Sequence, residues 1–175
     1  SEYADYDEGW KNGVVVNCVY GWHYACIPSR GIWADVFLRD VPLCDFERPF
    51  ILTEDYSDGK IGLCIKAFSS GKGTVRLKVS PYNFEGTDQY FEAPFECKAG
   101  QQLHFTLTVK NHKLWWPNGY GSQPLYRFTT AVIPEDSYPI VTEDITGIRQ
   151  IEMRPISGEP DPESYNWRCF INGKY

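Results

Sequence analysis

Residues 60–80 run Lys60-Ile61-Gly62-Leu63-Cys64-Ile65-Lys66-Ala67-Phe68-Ser69-Ser70-Gly71-Lys72-Gly73-Thr74-Val75-Arg76-Leu77-Lys78-Val79-Ser80. Ile61, Leu63, Ile65 and Ala67 share one parity, and Gly62, Cys64 and Lys66 take the other. Val75, Leu77 and Val79 alternate with Arg76 and Lys78. A period of two places one set of side chains in a core and the other in water, so each run reads as a half-buried strand. Ser70-Gly71-Lys72-Gly73 between them has turn composition. The same alternation returns at Leu103, Phe105, Leu107 and Val109, interleaved with His104, Thr106 and Thr108.

Outward from this stretch, further turn signals fall at Ser57-Asp58-Gly59, Ala99-Gly100 and Pro117-Asn118-Gly119. No long stretch repeats apolar residues at helical spacing. The pattern predicts about seven strands between Phe50 and Arg154, at 50–56, 60–69, 73–80, 88–96, 102–110, 124–133 and 144–154. Strands with turns at this spacing indicate an all-β fold, an immunoglobulin-like antiparallel sandwich. The Cys…Trp…Cys spacing of antibody domains is missing, so the likeness is one of topology.

The chain has 175 residues, 42% of them hydrophobic, enough to bury a core. Lys and Arg number 17 and Asp and Glu 23, a net charge of −6. An acidic chain has no basic surplus to neutralise phosphates, which argues against a nucleic-acid partner. No apolar run approaches the ~18–20 residues of a membrane-spanning helix. Aromatic residues reach 16%, a level that suits β structure or carbohydrate contact. The six cysteines form no Cys-x-x-Cys pair, and a chain of this size does not need disulfides, so free thiols are expected. No metal or other cofactor is expected. His104 and His112 lie roughly 27 Å apart along an extended strand, and Cys18, His23 and Cys26 have no standard zinc spacing. The acidic pairs Glu54-Asp55, Glu135-Asp136, Glu143-Asp144 and Asp161 with Glu163 sit near turns or strand ends and read as solvated. There is no phosphate-binding glycine loop and no nucleophile elbow.

The flanks differ from the centre. Residues 13–20 and 32–39 are apolar on both parities, as strands covered on both faces would be. Residues 1–43 hold two or three strands by this reading, too few to close a sandwich. The acidic, aromatic front has neither the basic start nor the apolar core of a signal peptide and reads as a cut edge. At the other end, Ser157-Gly158-Glu159-Pro160-Asp161-Pro162 reads as a linker. A strand-like segment from Asn166 to Ile171 then leads into Asn172-Gly173, a hairpin signal. A chain that stops in mid-hairpin reads as part of a longer protein.

Four segments carry a resemblance. Tyr20-Gly21-Trp22-His23-Tyr24 precedes Gly31-Ile32-Trp33. Leu114-Trp115-Trp116-Pro117-Asn118-Gly119-Tyr120-Gly121-Ser122-Gln123-Pro124-Leu125-Tyr126 is the most specific. Gly147-Ile148-Arg149-Gln150-Ile151-Glu152 follows, and Phe170-Ile171-Asn172-Gly173-Lys174 ends the chain. In this order they resemble glycoside hydrolase family 2, in its β-mannosidase-like branch. The resemblance implies three parts: residues 1–43 as the end of a sugar-binding jelly roll, 44–156 as the immunoglobulin-like middle domain, and 157–175 as the linker and start of a catalytic barrel. It implies a retaining exo-β-glycosidase whose two catalytic carboxylates lie on a barrel beyond Tyr175, so that this chain alone is inert. From a bacterial glycan degrader such an enzyme would work in the periplasm or outside the cell.

The site residues follow from the same resemblance. Trp22 and His23 match a Trp-Asp that contributes to the sugar subsite. His23 replaces the Asp, and a neutral His accepts one hydrogen bond and donates one where a carboxylate accepts two. Trp115, Trp116, Pro117, Asn118 and Gly119 read as a tight loop in which Asn-Gly supplies positive φ and Trp packs beneath, with a sugar-stacking platform as the alternative. Arg149 belongs to the strand expected to close the domain. Two other roles fit an all-β chain. A stand-alone carbohydrate-binding module requires exposed coplanar aromatics. An adhesion domain requires an exposed apolar patch or an unpaired edge strand.

Overall fold

The computed structural model describes residues 41–155 and 167–175, together with Ile32, Val36 and Leu38. The chain divides into two units, Ser1–Asp40 and Val41–Tyr175. The three described residues of the first unit, Ile32, Val36 and Leu38, are exposed, and the rest of the 32–39 segment lies outside the described residues. The 13–20 segment lies outside the described residues.

The second unit is all β, with no helix among the described residues. Its strands are β1 Phe50–Asp55, β2 Lys60–Lys66, β3 Gly71–Pro81, β4 Gln89–Cys97, β5 Gln102–Thr108, β6 Tyr126–Pro134, β7 Ile140–Thr146, β8 Ile151–Pro155 and β9 Trp167–Ile171. Strands β1-β2-β5 form one antiparallel sheet and β4-β3-β6-β7 a second. This three-plus-four division is an immunoglobulin-like sandwich. The alternation decides which residues fill it. Ile61, Leu63, Ile65, Val75, Leu77, Val79, Leu103 and Leu107 are buried, and Phe128, Val132 and Ile148 complete the centre of the core. On the large sheet, cross-strand ion pairs such as Arg76 with Glu92 at 2.6 Å keep one face wet.

Two expectations need correction. Gly71-Lys72-Gly73 is not a turn but the start of β3. A side chain at Gly71 would collide with the Cys44 sulfur, and one at Gly73 with the Ile133 carbonyl, so these glycines mark close approach inside a strand. The single strand expected at 144–154 is two strands. β7 follows Pro139 and ends at Thr146. The chain then leaves the sheet, and Leu114 and Ile148 make a parallel bridge. It resumes as β8, which pairs with β9 instead of closing the sandwich.

Candidate functional site

The connection from β5 to β6 carries most of the residues singled out above. After β5 the chain turns at Asn111, with φ 52°. His112 Nε2 lies 2.8 Å from the carbonyl oxygen of Tyr56, while His104 Nε2 meets Glu54 Oε1 at 2.5 Å, so the two histidines occupy separate surroundings. Tyr126, the first residue of β6, fastens the loop to itself. Its hydroxyl accepts from Lys113 N at 2.6 Å, and its ring meets Phe84 edge-on. A tyrosine at the start of this strand bonding back to the preceding corner is a recurrent device of immunoglobulin-like sandwiches. Burial pushes the Tyr126 hydroxyl's pKa up.

Beyond Leu114 the loop is set by backbone bonds. Trp115 N donates to Ile148 O at 2.9 Å and Trp116 N to Ser122 O at 3.0 Å. Tyr120 N closes a turn on Pro117 O at 3.0 Å. Gly119, third in that turn, has φ 85°, the value a type II turn needs there. The positive φ expected of Asn118-Gly119 therefore falls on the glycine. Asn118 Oδ1 instead accepts from Gln123 Nε2 at 2.9 Å. Pro117 is half-buried, and Asn118 and Gly119 are exposed.

Both indoles are half-buried, and each is approached by a cation. The Arg149 guanidinium lies 4.6 Å from the centre of the Trp115 ring, and Lys174 Nζ 5.1 Å from that of Trp116. Trp115 also packs on Gly147, where an added Cβ would stand 2.5 Å from the Trp115 Cβ. Trp22 and His23 lie outside the described residues.

The sequence reading missed the residue that joins these parts. Asn172 is 4% exposed. Its Oδ1 accepts from Gln150 N at 2.9 Å, its Nδ2 donates to Trp115 O at 3.0 Å, and its own N–H donates to Gln150 O at 2.9 Å. It also forms a two-residue hairpin turn with Gly173, at φ 49° and 74°, closed by Ile171 N to Lys174 O at 2.8 Å and Lys174 N to Ile171 O at 3.0 Å. Asn-Gly is the pair that such a turn selects. The turn was legible in the sequence and the clamp was not. A side chain at Gly173 would stand 2.5 Å from the Tyr56 hydroxyl.

Beside Arg149 an open cleft of about 480 Å³ lies between β1 and residues 146–151. Ile51, Thr53, Phe128, Ile148, Arg149 and Ile151 are among its lining residues, and none of its lining residues is acidic. It cannot supply the paired carboxyl groups of glycoside hydrolysis. The β8–β9 pair is amphipathic. Ile151, Met153 and Pro155 share one face with Ile171, Cys169 and Trp167, and Ile151 and Met153 are more than half exposed. On the other face Arg154 pairs with Glu152 and lies 4.5 Å from the Phe170 ring centre.

The family model for glycosyl hydrolases family 2 matches residues 46–149. The chain is 26% identical over 172 residues to β-mannosidase B of Emericella nidulans, covering 97% of this chain and 18% of that protein. It is 28% identical over 108 residues to an exo-β-D-glucosaminidase of Arthroderma benhamiae, covering 56% of this chain and 12% of that one. Among solved structures, an exo-chitosanase of Amycolatopsis orientalis aligns over 75% of this chain and 15% of its own, at 15% identity and TM-score 0.43, too distant to support an argument. The chain spans less than a fifth of the length of these curated relatives.

Proposed function

The chain belongs to glycosyl hydrolases family 2, and on that premise we propose that it is the non-catalytic immunoglobulin-like region of a β-mannosidase-like exo-β-glycosidase. Its role in that reading is positional. It holds a sugar-binding jelly roll, to which Trp22 and His23 belong, in fixed relation to a catalytic barrel, and carbohydrate is the substrate of the whole protein. Positioning contributes directly to rate, because displacing a contact group by about 1 Å can cost on the order of 10²-fold.

The observation that carries this reading is the three-way clamp at Asn172. Its side chain binds Trp115 in the loop and Gln150 just before β8, and its own backbone forms the turn after β9, so three segments are fixed at one residue. A segment leaving a domain has no need of such fixation unless the direction of the exit matters. The exposed apolar face of β8–β9 supports it, since a two-stranded pair is marginal alone and offers that face to a neighbouring domain. The cations over both indoles disfavour the stacking platform of a carbohydrate-binding module, which needs free ring faces.

Reading the coding sequence beyond the Tyr175 codon tests the proposal. It predicts an open frame of about 200 residues or more in βα alternation, with glutamates at the ends of two strands. A stop codon directly after Tyr175 would overturn it, and the apolar face of β8–β9 would then mark a site for a separate protein.

A further inference from the structure

We propose that Cys44 and Cys97 are a reversible dithiol–disulfide site that staples the two sheets of the sandwich at one end, independently of any carbohydrate chemistry. Both residues are buried, 6% and 4% exposed, and both are free thiols in the structure. Cys97 is the last residue of β4, where its partner across the ladder is Gly71. Cys44 precedes a segment that extends the other sheet, in which Phe68 N donates to Asp45 O and Glu47 N to Lys66 O, both at 2.8 Å. Its sulfur rests on Gly71, with no room for a methyl group between them. One glycine thus has Cys97 beside it and Cys44 above it, which brings the two cysteine side chains together at one end of the core.

Ser69 joins the pair. Its carbonyl lies 3.7 Å from Cys97 Sγ, and its hydroxyl accepts at 2.7 Å from the backbone N–H of Asp45, the residue after Cys44. Burial, with the Cys97 sulfur next in weight, pushes the Cys44 thiol's pKa up, so thiolate is scarce and the exchange is slow.

The reaction is thiol–disulfide exchange with a low-molecular-weight disulfide as oxidant. One cysteine thiolate attacks it, forming a mixed disulfide and releasing one small thiol. The second cysteine, as thiolate, attacks the protein sulfur of that bond and releases the other small thiol. The two protein thiols lose two electrons and two protons, and the small disulfide takes both as two thiols. The product links residues 44 and 97, and with them the entry segment on the first sheet and β4 on the second.

The test is to hold the protein for hours in excess oxidised glutathione, quench with acid, alkylate and map the peptides by mass. Cys169 is exposed and reports by its own glutathionylation that oxidant has reached the protein. The expected result is a cross-linked Cys44–Cys97 peptide and a rise in Tm of about 5–10 °C, reversed by dithiothreitol and absent in Cys97→Ser. Recovery of Cys44 and Cys97 as separate alkylated thiols or mixed disulfides, with Cys169 glutathionylated, would overturn the proposal. The peptide map of the unsubstituted protein decides even if Cys97→Ser fails to fold.

Discussion

The side-chain amide of Asn172 donates to the carbonyl oxygen of Trp115 at 3.0 Å, a bond between residues 57 positions apart. The same side chain accepts from Gln150 N, so the Trp115 loop, the residue that leads into β8 and the turn after β9 meet at one buried asparagine. Removing it strands a carbonyl and an N–H that have no other hydrogen-bond partner among the described residues.

Asn172→Ala is expected to cost about 2 kcal/mol or more in the local stability of this corner, because the partners left behind must be unpaired or resolvated. Hydrogen exchange at Gln150 and Ile171 should then accelerate by at least about 30-fold. Asn172→Gly keeps the positive φ and loses both side-chain bonds, so it separates the turn from the clamp. Equal acceleration in both variants assigns the effect to the clamp. An unchanged rate in Asn172→Gly would assign it to the turn.

Gly147→Ala places a methyl group against the Trp115 Cβ. Displacing the indole is expected to cost about 1–3 kcal/mol. Urea unfolding followed by tryptophan emission checks this, and a midpoint within error of the unsubstituted protein would show that the loop moves aside freely.

Tyr126 gives a pH dependence with a defined sign. Burial raises its folded pKa above the ordinary tyrosine value of about 10. The folded chain therefore holds this proton where the unfolded chain releases it. The contribution is fully present below about pH 10 and is lost as pH rises through the folded value. Tyr126→Phe should cost about 1 kcal/mol at neutral pH, from the lost bond with Lys113. It should also flatten the alkaline limb of the stability curve, measured by urea titration from pH 8 upward. Parallel limbs in both proteins would contradict the raised value.

The parts legible in the sequence are those governed by local periodicity. Ile61, Leu63 and Ile65, and Val75, Leu77 and Val79, fall inside because a strand's faces alternate, and this follows from the residue order alone. Gly71 and Gly73 have the composition of a turn; pairing with β4 and β6 holds them in β3, and the Cys44 sulfur and Ile133 carbonyl leave no room there for a side chain, none of which a local window contains. Thr146 to Ile151 looked continuous because its apolar spacing bridges the break. The break itself is imposed by Leu114 and Trp115 bonding to Ile148. Asn172-Gly173 shows both limits at once: the turn is a property of two residues, and the clamp is a property of the fold.

The most direct test of the positional account is to titrate the isolated chain with a manno-oligosaccharide while following the indole N–H resonances of Trp115 and Trp116. With Arg149 and Lys174 over the two rings, no saturable shift is predicted up to about 10 mM sugar, a Kd weaker than any useful binding module. Saturable shifts of either indole with a Kd below about 1 mM would contradict the account and make the loop a sugar-binding surface.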